Sequence, residues 1–212
     1  MDGSDDLVRL LLKSQPRAGG DPAHDRGHVL RVWANVRAIA AGEGVAVGPV
    51  LTAAAILHDV VALPKNHPER SRAAEMSGRK GWAIVRDLGF AREDCDAVAH
   101  AIAAHSFSGG VAPATIEAKI LRDADRLDAL GAVGIARCFA VSGALSRPLW
   151  DAEDPFAQVR TVDDGRFALD HFAVKLLTLA EGMTTETGRQ MAEARTDVIR
   201  RFLHDLSIEL TV

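Results

Sequence analysis

Apolar residues recur at steps of three and four along most of this chain, a period that predicts amphipathic helices. Between residues 26 and 43, Val29, Val32, Trp33, Val36, Ile39 and Ala40 mark one face of a helix that Gly42 and Gly44 bring to a stop. A shorter helix over 5–13 carries Leu7, Leu10 and Leu11 on its apolar side. After Gly48-Pro49 the run Leu51-Thr52-Ala53-Ala54-Ala55-Ile56-Leu57-His58-Asp59-Val60 has no polar face. Ala and Leu are strong helix formers, so this run predicts a helix that its neighbours must cover on nearly every side.

Further helices are expected over 69–88, interrupted by Gly78 and Gly81, over 91–105, from Pro113 to Leu130, and over 131–142. Two closing helices span about 167–180 and 185–210, after an irregular section over 147–164. The stretches 16–22, 63–68 and 106–110 read as loops, the second bracketed by Pro64 and Pro68. No segment alternates apolar and polar residues long enough to predict a strand, and no internal repeat is present. The expected architecture is one all-α domain over 1–212, with a core at about 20–145 and C-terminal helices at about 165–210 packing on it.

Composition agrees with that picture. Of 212 residues, 48% are hydrophobic and 25% charged, as in an ordinary globular protein, but only 5% are aromatic and none is Tyr. Packing must therefore rest on Ala and Leu, which favour helices over strands. A net charge of −4 argues against a chain that grips a nucleic-acid polymer through its overall field. The acidic start lacks the layout of a signal peptide, and no apolar run reaches membrane-spanning length. Cys95 and Cys138 stand alone, which suits two reduced thiols in a cytoplasmic protein with no membrane partner.

The apolar run ends in an imidazole and a carboxylate, an expensive pair to bury unless something satisfies both. A divalent cation would do so. Its other donors must come from helical segments, and the candidates are His28 near the start of the second helix and Asp125 within Ala118–Leu130. Singly, each has a commoner role, as a buried histidine bonded to backbone or an aspartate in an ion pair. Together, His28, His58, Asp59 and Asp125 suit Mn, Mg, Fe, Ni or Zn, and an octahedral ion would keep positions for water and a substrate oxygen.

The order His28, then His58-Asp59, then Asp125 resembles the signature of the HD-domain phosphohydrolase superfamily. The flanking text is similar too: His28-Val29-Leu30-Arg31-Val32, Ala54-Ala55-Ile56-Leu57-His58-Asp59 and Asp123-Ala124-Asp125-Arg126-Leu127-Asp128-Ala129-Leu130-Gly131. Lys65-Asn66-His67-Pro68, Asp170-His171-Phe172 with Lys175-Leu176-Leu177, and Thr187-Gly188-Arg189 extend the match to a small bacterial branch that includes nucleotide pyrophosphohydrolases. The resemblance implies an HD helical bundle with extra C-terminal helices. It also implies one divalent cation on His28, His58, Asp59 and Asp125, and hydrolysis of phosphate esters or anhydrides, often in nucleotides. In that reaction His58, Asp59 and Asp125 would be the catalytic set. Where alarmone hydrolases carry a Glu-Asp pair and small 5′-nucleotidases keep the Glu, this chain has Ala62 and Leu63, which counts against both activities.

On the substrate side the best cationic source is the loop after the His-Asp pair, with Lys65, His67, Arg70 and Arg72. His171 and Lys175, one turn apart on a late helix, are further candidates for a phosphorylated substrate. Asp128 is expected on the face of Asp125, within reach of a ligating histidine, whereas Asp123 is expected at the surface or as a cap. His24 is a candidate for the surroundings of His28, and Arg126 for an ion pair. Alternatives are a non-catalytic nucleotide-binding module, a phosphomonoesterase or phosphodiesterase on another small substrate, and a dinuclear oxygenase that would need both His100 and His105. A homodimer is compatible with all of them.

Overall fold

The computed structural model describes residues 3–14, 25–63, 67–106 and 109–210. Its α-helices are α1 (Gly3–Leu11), α2 (Arg26–Gly42), α3 (Pro49–Leu57), α4 (Ala73–Asp87), α5 (Arg92–His105), α6 (Ile116–Leu127), α7 (Gly131–Ala144), α8 (Asp170–Val174) and α9 (Glu186–Glu209). Short 3-10 turns occupy Leu12–Ser14, Arg70–Arg72 and Leu176–Gly182. Among the described residues there is no strand, so the fold is all-α. No single helix there is long and apolar enough to cross a membrane. Contacts divide the chain into two compact units, Met1–Asp125 and Arg126–Val212.

The first unit is built around α3, which packs against α1, α2, α4 and α5. Every residue from Leu51 to His58 is buried, as a helix without a polar face requires. Burying Leu51, Ile56 and Leu57 is worth roughly 1.5–3 kcal/mol each. α4 is unbroken by Gly78 and Gly81, and the reason lies in its packing on α5. A Cβ at Gly78 would stand 2.8 Å from the Ala99 carbonyl oxygen, and one at Gly81 would stand 2.7 Å from Ile102 Cδ1. The glycines give up helix propensity to let the two helices approach. Between them and α3, the buried Ser77 hydroxyl accepts the Val61 N–H at 3.1 Å and the Lys80 ammonium donates to the Val60 carbonyl at 3.3 Å. These contacts fix the turn that follows α3.

α6 begins at Ile116, three residues later than Pro113, because the Thr115 hydroxyl caps it by accepting the Ala118 N–H at 3.2 Å. Asp123, expected at the surface or as a cap, is instead fully buried. Ile120, Leu121 and Ala124 are buried around it, so α6 is covered on more than the side that carries Asp125.

In the second unit α7 packs on α9, and α9 on the 3-10 segment that follows α8. Phe139, Phe172 and Phe202 form a ring cluster with centroids 5.7–6.0 Å apart. The irregular stretch before α8 is ordered by charge. The Asp154 carboxylate accepts the Gln158, Val159 and Arg160 N–H groups, and Arg160 makes a bidentate pair with buried Asp170 at 2.6 and 2.7 Å. The single helix expected over 167–180 is therefore shorter. Lys175 leaves helical geometry at φ −132° and the chain continues as a 3-10 winding, which still buries Leu176.

Candidate metal centre

Each donor in the first unit is held by a local device. The Asp25 carboxylate caps α2 by accepting the His28 N–H at 2.8 Å, which sets His28 in the first turn. α3 ends at Leu57, so His58 and Asp59 lie in the turn beyond it rather than on successive helical positions. Asp125 rides on α6, and the buried Asn35 of α2 donates to the Ala124 carbonyl at 3.0 Å, tying α6 to α2 beside the centre.

The four side chains converge. His28 Nε2 and His58 Nε2 are 3.1 Å apart. Asp125 Oδ1 is 3.4 Å from the first and 3.9 Å from the second, and Asp59 Oδ2 is 3.6 and 3.7 Å from them. Both imidazoles are buried, while the Asp59 and Asp125 side chains keep 23% and 29% exposure, so solvent reaches the carboxylate side. Around a cation bonded at about 2.1 Å, neighbouring donors stand roughly 3.0–3.4 Å apart. The observed spacings lie at and slightly above that range, and His28, His58 and Asp125 form a group that could hold a metal ion, with Asp59 Oδ2 beside the two imidazoles.

Protonation agrees with a ligand role. The His58 Nδ1–H donates to the Ala55 carbonyl at 2.8 Å, which leaves Nε2 with its lone pair toward the centre. Burial lowers the His58 pKa to about 4, against the raising influence of Asp59, so the ring is neutral near pH 7. Burial pushes the Asp125 carboxyl up, but His105, His28 and His58 together outweigh it and hold it below the usual carboxylate range. Two imidazole nitrogens beside two carboxylates make a site for a borderline or hard divalent cation.

A fifth side chain also reaches this point. His105, at the end of α5, is buried, with its Nε2 3.7 Å from Asp59 Oδ1 and its ring edge-on to His58 at a centroid distance of 5.2 Å. The sequence offers His105, with His100, for a second metal or for a capping or core role. The structure separates the two: His100 Nε2 accepts the Ala114 N–H at 3.1 Å and secures the segment leading to α6. Asn35 was not among the sequence candidates, although a polar residue on the stripe of Val29, Val32, Val36 and Ile39 was its visible signal.

The substrate-side candidates have local partners. Lys65 and His24 lie outside the described residues. His67 Nδ1 accepts the Glu69 N–H at 3.1 Å, and the Arg70 guanidinium donates to the Leu63 carbonyl. Arg72 pairs with Glu69 at 2.6 Å and Glu75 at 3.5 Å. In the second unit His171 Nδ1 is 2.9 Å from Asp164 Oδ2, and Lys175 is exposed. Asp128, expected to reach a ligating histidine, is buried and its carboxylate pairs with Arg137. Arg126, expected in an ion pair, donates to the Gly182 carbonyl.

The HD domain model matches residues 26–130, the stretch that carries all four donors. The chain belongs to the HD-domain phosphohydrolase superfamily. The uncharacterized protein YpgQ of Bacillus subtilis is 34% identical over 191 residues, covering 88% of this chain and 84% of the relative. The crystal structure of YpgQ in complex with ADP superposes with a TM-score of 0.73 at 30% identity, over 97% of this chain and 94% of that one. An HD-superfamily hydrolase from Bacillus thuringiensis gives a TM-score of 0.74 at 28% identity, over 99% and 97%.

Proposed function

We propose that this protein is a metal-dependent phosphohydrolase acting on phosphoanhydride or phosphoester bonds of nucleotides. The observation that carries the reading is the convergence of His28, His58 and Asp125 on one point, with Asp59 Oδ2 3.6 and 3.7 Å from the two imidazole Nε2 atoms. The ADP held by its structural relative YpgQ supports a nucleotide as ligand.

A divalent cation at such a centre polarises a phosphoryl oxygen and makes water a better nucleophile near neutral pH. The chain's own residues do the rest. His28 and His58 present their Nε2 atoms from a buried wall, so that side of the centre is dry and pre-set. Asp59 and Asp125 close the wet side, where the phosphate enters and where either carboxylate can accept a hydrogen bond from the attacking water. Cationic groups then stabilise the charge that develops on the equatorial oxygens. Lys65, His67 and Arg70 are our candidates for that role, with His171 and Lys175 the candidates from the second unit.

The test is incubation of the protein with Mn or Mg and a nucleotide panel, reading released phosphate and pyrophosphate and identifying the products. Turnover that disappears in His58→Ala and Asp125→Ala is the expected result. Micromolar nucleotide binding without turnover would instead establish a non-catalytic binding module. Turnover that survives His58→Ala would sink the proposal.

A further inference from the structure

We propose that Ser77 of α4, assisted by Lys80, is a positioning residue for Asp59 and so sets how tightly the centre holds its cation. The inference rests on the phosphohydrolase reading above and adds to it a residue that acts through the backbone. His58 and Asp59 stand beyond the end of α3, where the helical ladder has stopped. The near side of their turn is secured from α3. The His58 ring is tethered to the Ala55 carbonyl at 2.8 Å, and the Val60 N–H donates to the Leu57 carbonyl at 3.0 Å. The far side is secured from α4. The Ser77 hydroxyl accepts the Val61 N–H at 3.1 Å and donates to the Val61 carbonyl at 3.4 Å. The Lys80 ammonium donates to the Val60 carbonyl at 3.3 Å. Three successive backbone groups after Asp59 thus end on two side chains of one helix.

The support under those bonds is itself fixed. Ser77, Lys80 and Gly81 are three and four residues apart and share one side of α4. A Cβ at Gly81 would stand 3.8 Å from the Leu57 Cβ, so this side of α4 lies against the end of α3. Gly78, next to Ser77, lets the same helix press on α5, where a Cβ would stand 2.8 Å from the Ala99 carbonyl oxygen. Ser77 is fully buried, so removing its hydroxyl takes the partner from two polar groups of Val61 inside the fold. Asp is a short side chain with few torsions, and where its oxygens fall follows its backbone. The two adjacent donors therefore have separate anchors: α3 holds His58, and α4 holds Asp59, whose Oδ2 comes within 3.6 and 3.7 Å of the two imidazole Nε2 atoms. A ligand whose support is loosened binds its ion more weakly even when every donor is still present.

The test compares Ser77→Ala, Ser77→Thr, Lys80→Met and Val85→Ala in the full chain, the last shortening a buried side chain two turns further along α4. In the metal-free protein, hydrogen exchange at the Val61 amide should be on the order of tenfold faster in Ser77→Ala than in wild type. Calorimetric titration with Mn should give an affinity about tenfold weaker in Ser77→Ala and about threefold weaker in Lys80→Met. Ser77→Thr keeps the hydroxyl and should stay within about twofold of wild type, as should Val85→Ala despite its lower stability. On ADP and ATP, saturating Mn should bring the Ser77→Ala kcat back to within about threefold of wild type, as expected of a residue that acts through the ligand and not on the reacting atoms. Lys80→Met, an exposed substitution, serves if Ser77→Ala does not fold. Mn affinity unchanged in both Ser77→Ala and Lys80→Met overturns the inference, and so does an equal weakening in Val85→Ala. A wild type that turns over no nucleotide, yet loses Mn affinity in this pattern, refutes the hydrolytic reading and supports the role of Ser77. Turnover with an Mn affinity indifferent to Ser77 does the reverse, and a wild type that binds no Mn overturns both.

Discussion

Acid should destabilise the metal-free protein chiefly through His58. The ring is fully buried, and its pKa falls from 6.5 to about 4 because burial penalises the charged form more than Asp59 and Asp125 favour it. His28 and His105, which also face it, push in the same direction as burial. Between these two values the unfolded chain takes up a proton that the folded chain refuses. Stability is therefore fully present above pH 6.5 and is lost progressively as pH falls toward 4. The gap corresponds to about 3 kcal/mol, a sizeable part of the 5–15 kcal/mol typical of a folded domain. Asp125 has the same sign, but its carboxyl is held below its ordinary 3.8, so its share is lost only at lower pH. The measurement is urea unfolding of EDTA-treated wild type and His58→Gln from about pH 7.5 to about pH 4.5. Wild type should lose most of those 3 kcal/mol beyond whatever the variant loses. With saturating Mn the wild-type dependence should steepen, since the ion requires an unprotonated Nε2. Parallel curves for the two metal-free proteins would refute the reasoning, because they would mean that His58 is charged, or free to become so, in the folded state.

Three further outcomes follow from the packing. Asn35→Leu removes the bond to the Ala124 carbonyl and should cost about 1–2 kcal/mol in thermal unfolding. Calorimetric titration should also show Mn affinity weakened about tenfold, since α6 is then no longer pinned to α2. Gly81→Ala should destabilise by about 1–3 kcal/mol despite alanine's better helix propensity, because the new methyl meets Ile102 Cδ1 at 2.7 Å. A gain in stability would show that α4 and α5 are not in contact there. Asp170→Asn takes the partner from Arg160 and should cost about 3 kcal/mol in urea unfolding, with the segment before α8 becoming more sensitive to protease.

The helices were legible wherever a long apolar period ran unopposed. α2, α3, α5 and α9 begin and end within a few residues of the periodic pattern. The pattern says less where charge or close packing decides. Gly78 and Gly81 look like interruptions from sequence alone, because the partner helix that makes them necessary lies more than ten residues away. The break at Lys175 reflects a segment organised around Asp154, Arg160 and Asp170, none of which carries a helical period. The candidate donors His28, His58, Asp59 and Asp125 stood out because their spacing and flanking residues resemble the family signature, and the structure brings His28, His58 and Asp125 together. Asp123 was misplaced because counting around one helix says which residues share a face, but not how many faces are covered. A capping or core role was expected for His100 and His105, but sequence shows only that two histidines are near each other along a helix and not which way each ring is tethered.

The tethers explain how an all-α scaffold of small residues builds this centre. The last carbonyls of a helix have no partner within it. His58 and His105 both stand at the end of a helix and both use Nδ1–H to satisfy the carbonyl three residues earlier, Ala55 in one case and Ile102 in the other. One bond therefore does two jobs: it satisfies a buried acceptor and it orients the ring, so Nε2 is aimed past the helix end. With α3 and α5 packed together, the two Nε2 atoms arrive on opposite sides of the Asp59 carboxylate. The arrangement places several electron-rich atoms within 4 Å of one another in a largely dry corner, a local conflict that folding alone does not favour. A cation held beside His28, His58, Asp59 and Asp125 would relieve it. The same geometry that folding alone does not favour is then the reason that an ion would be held there.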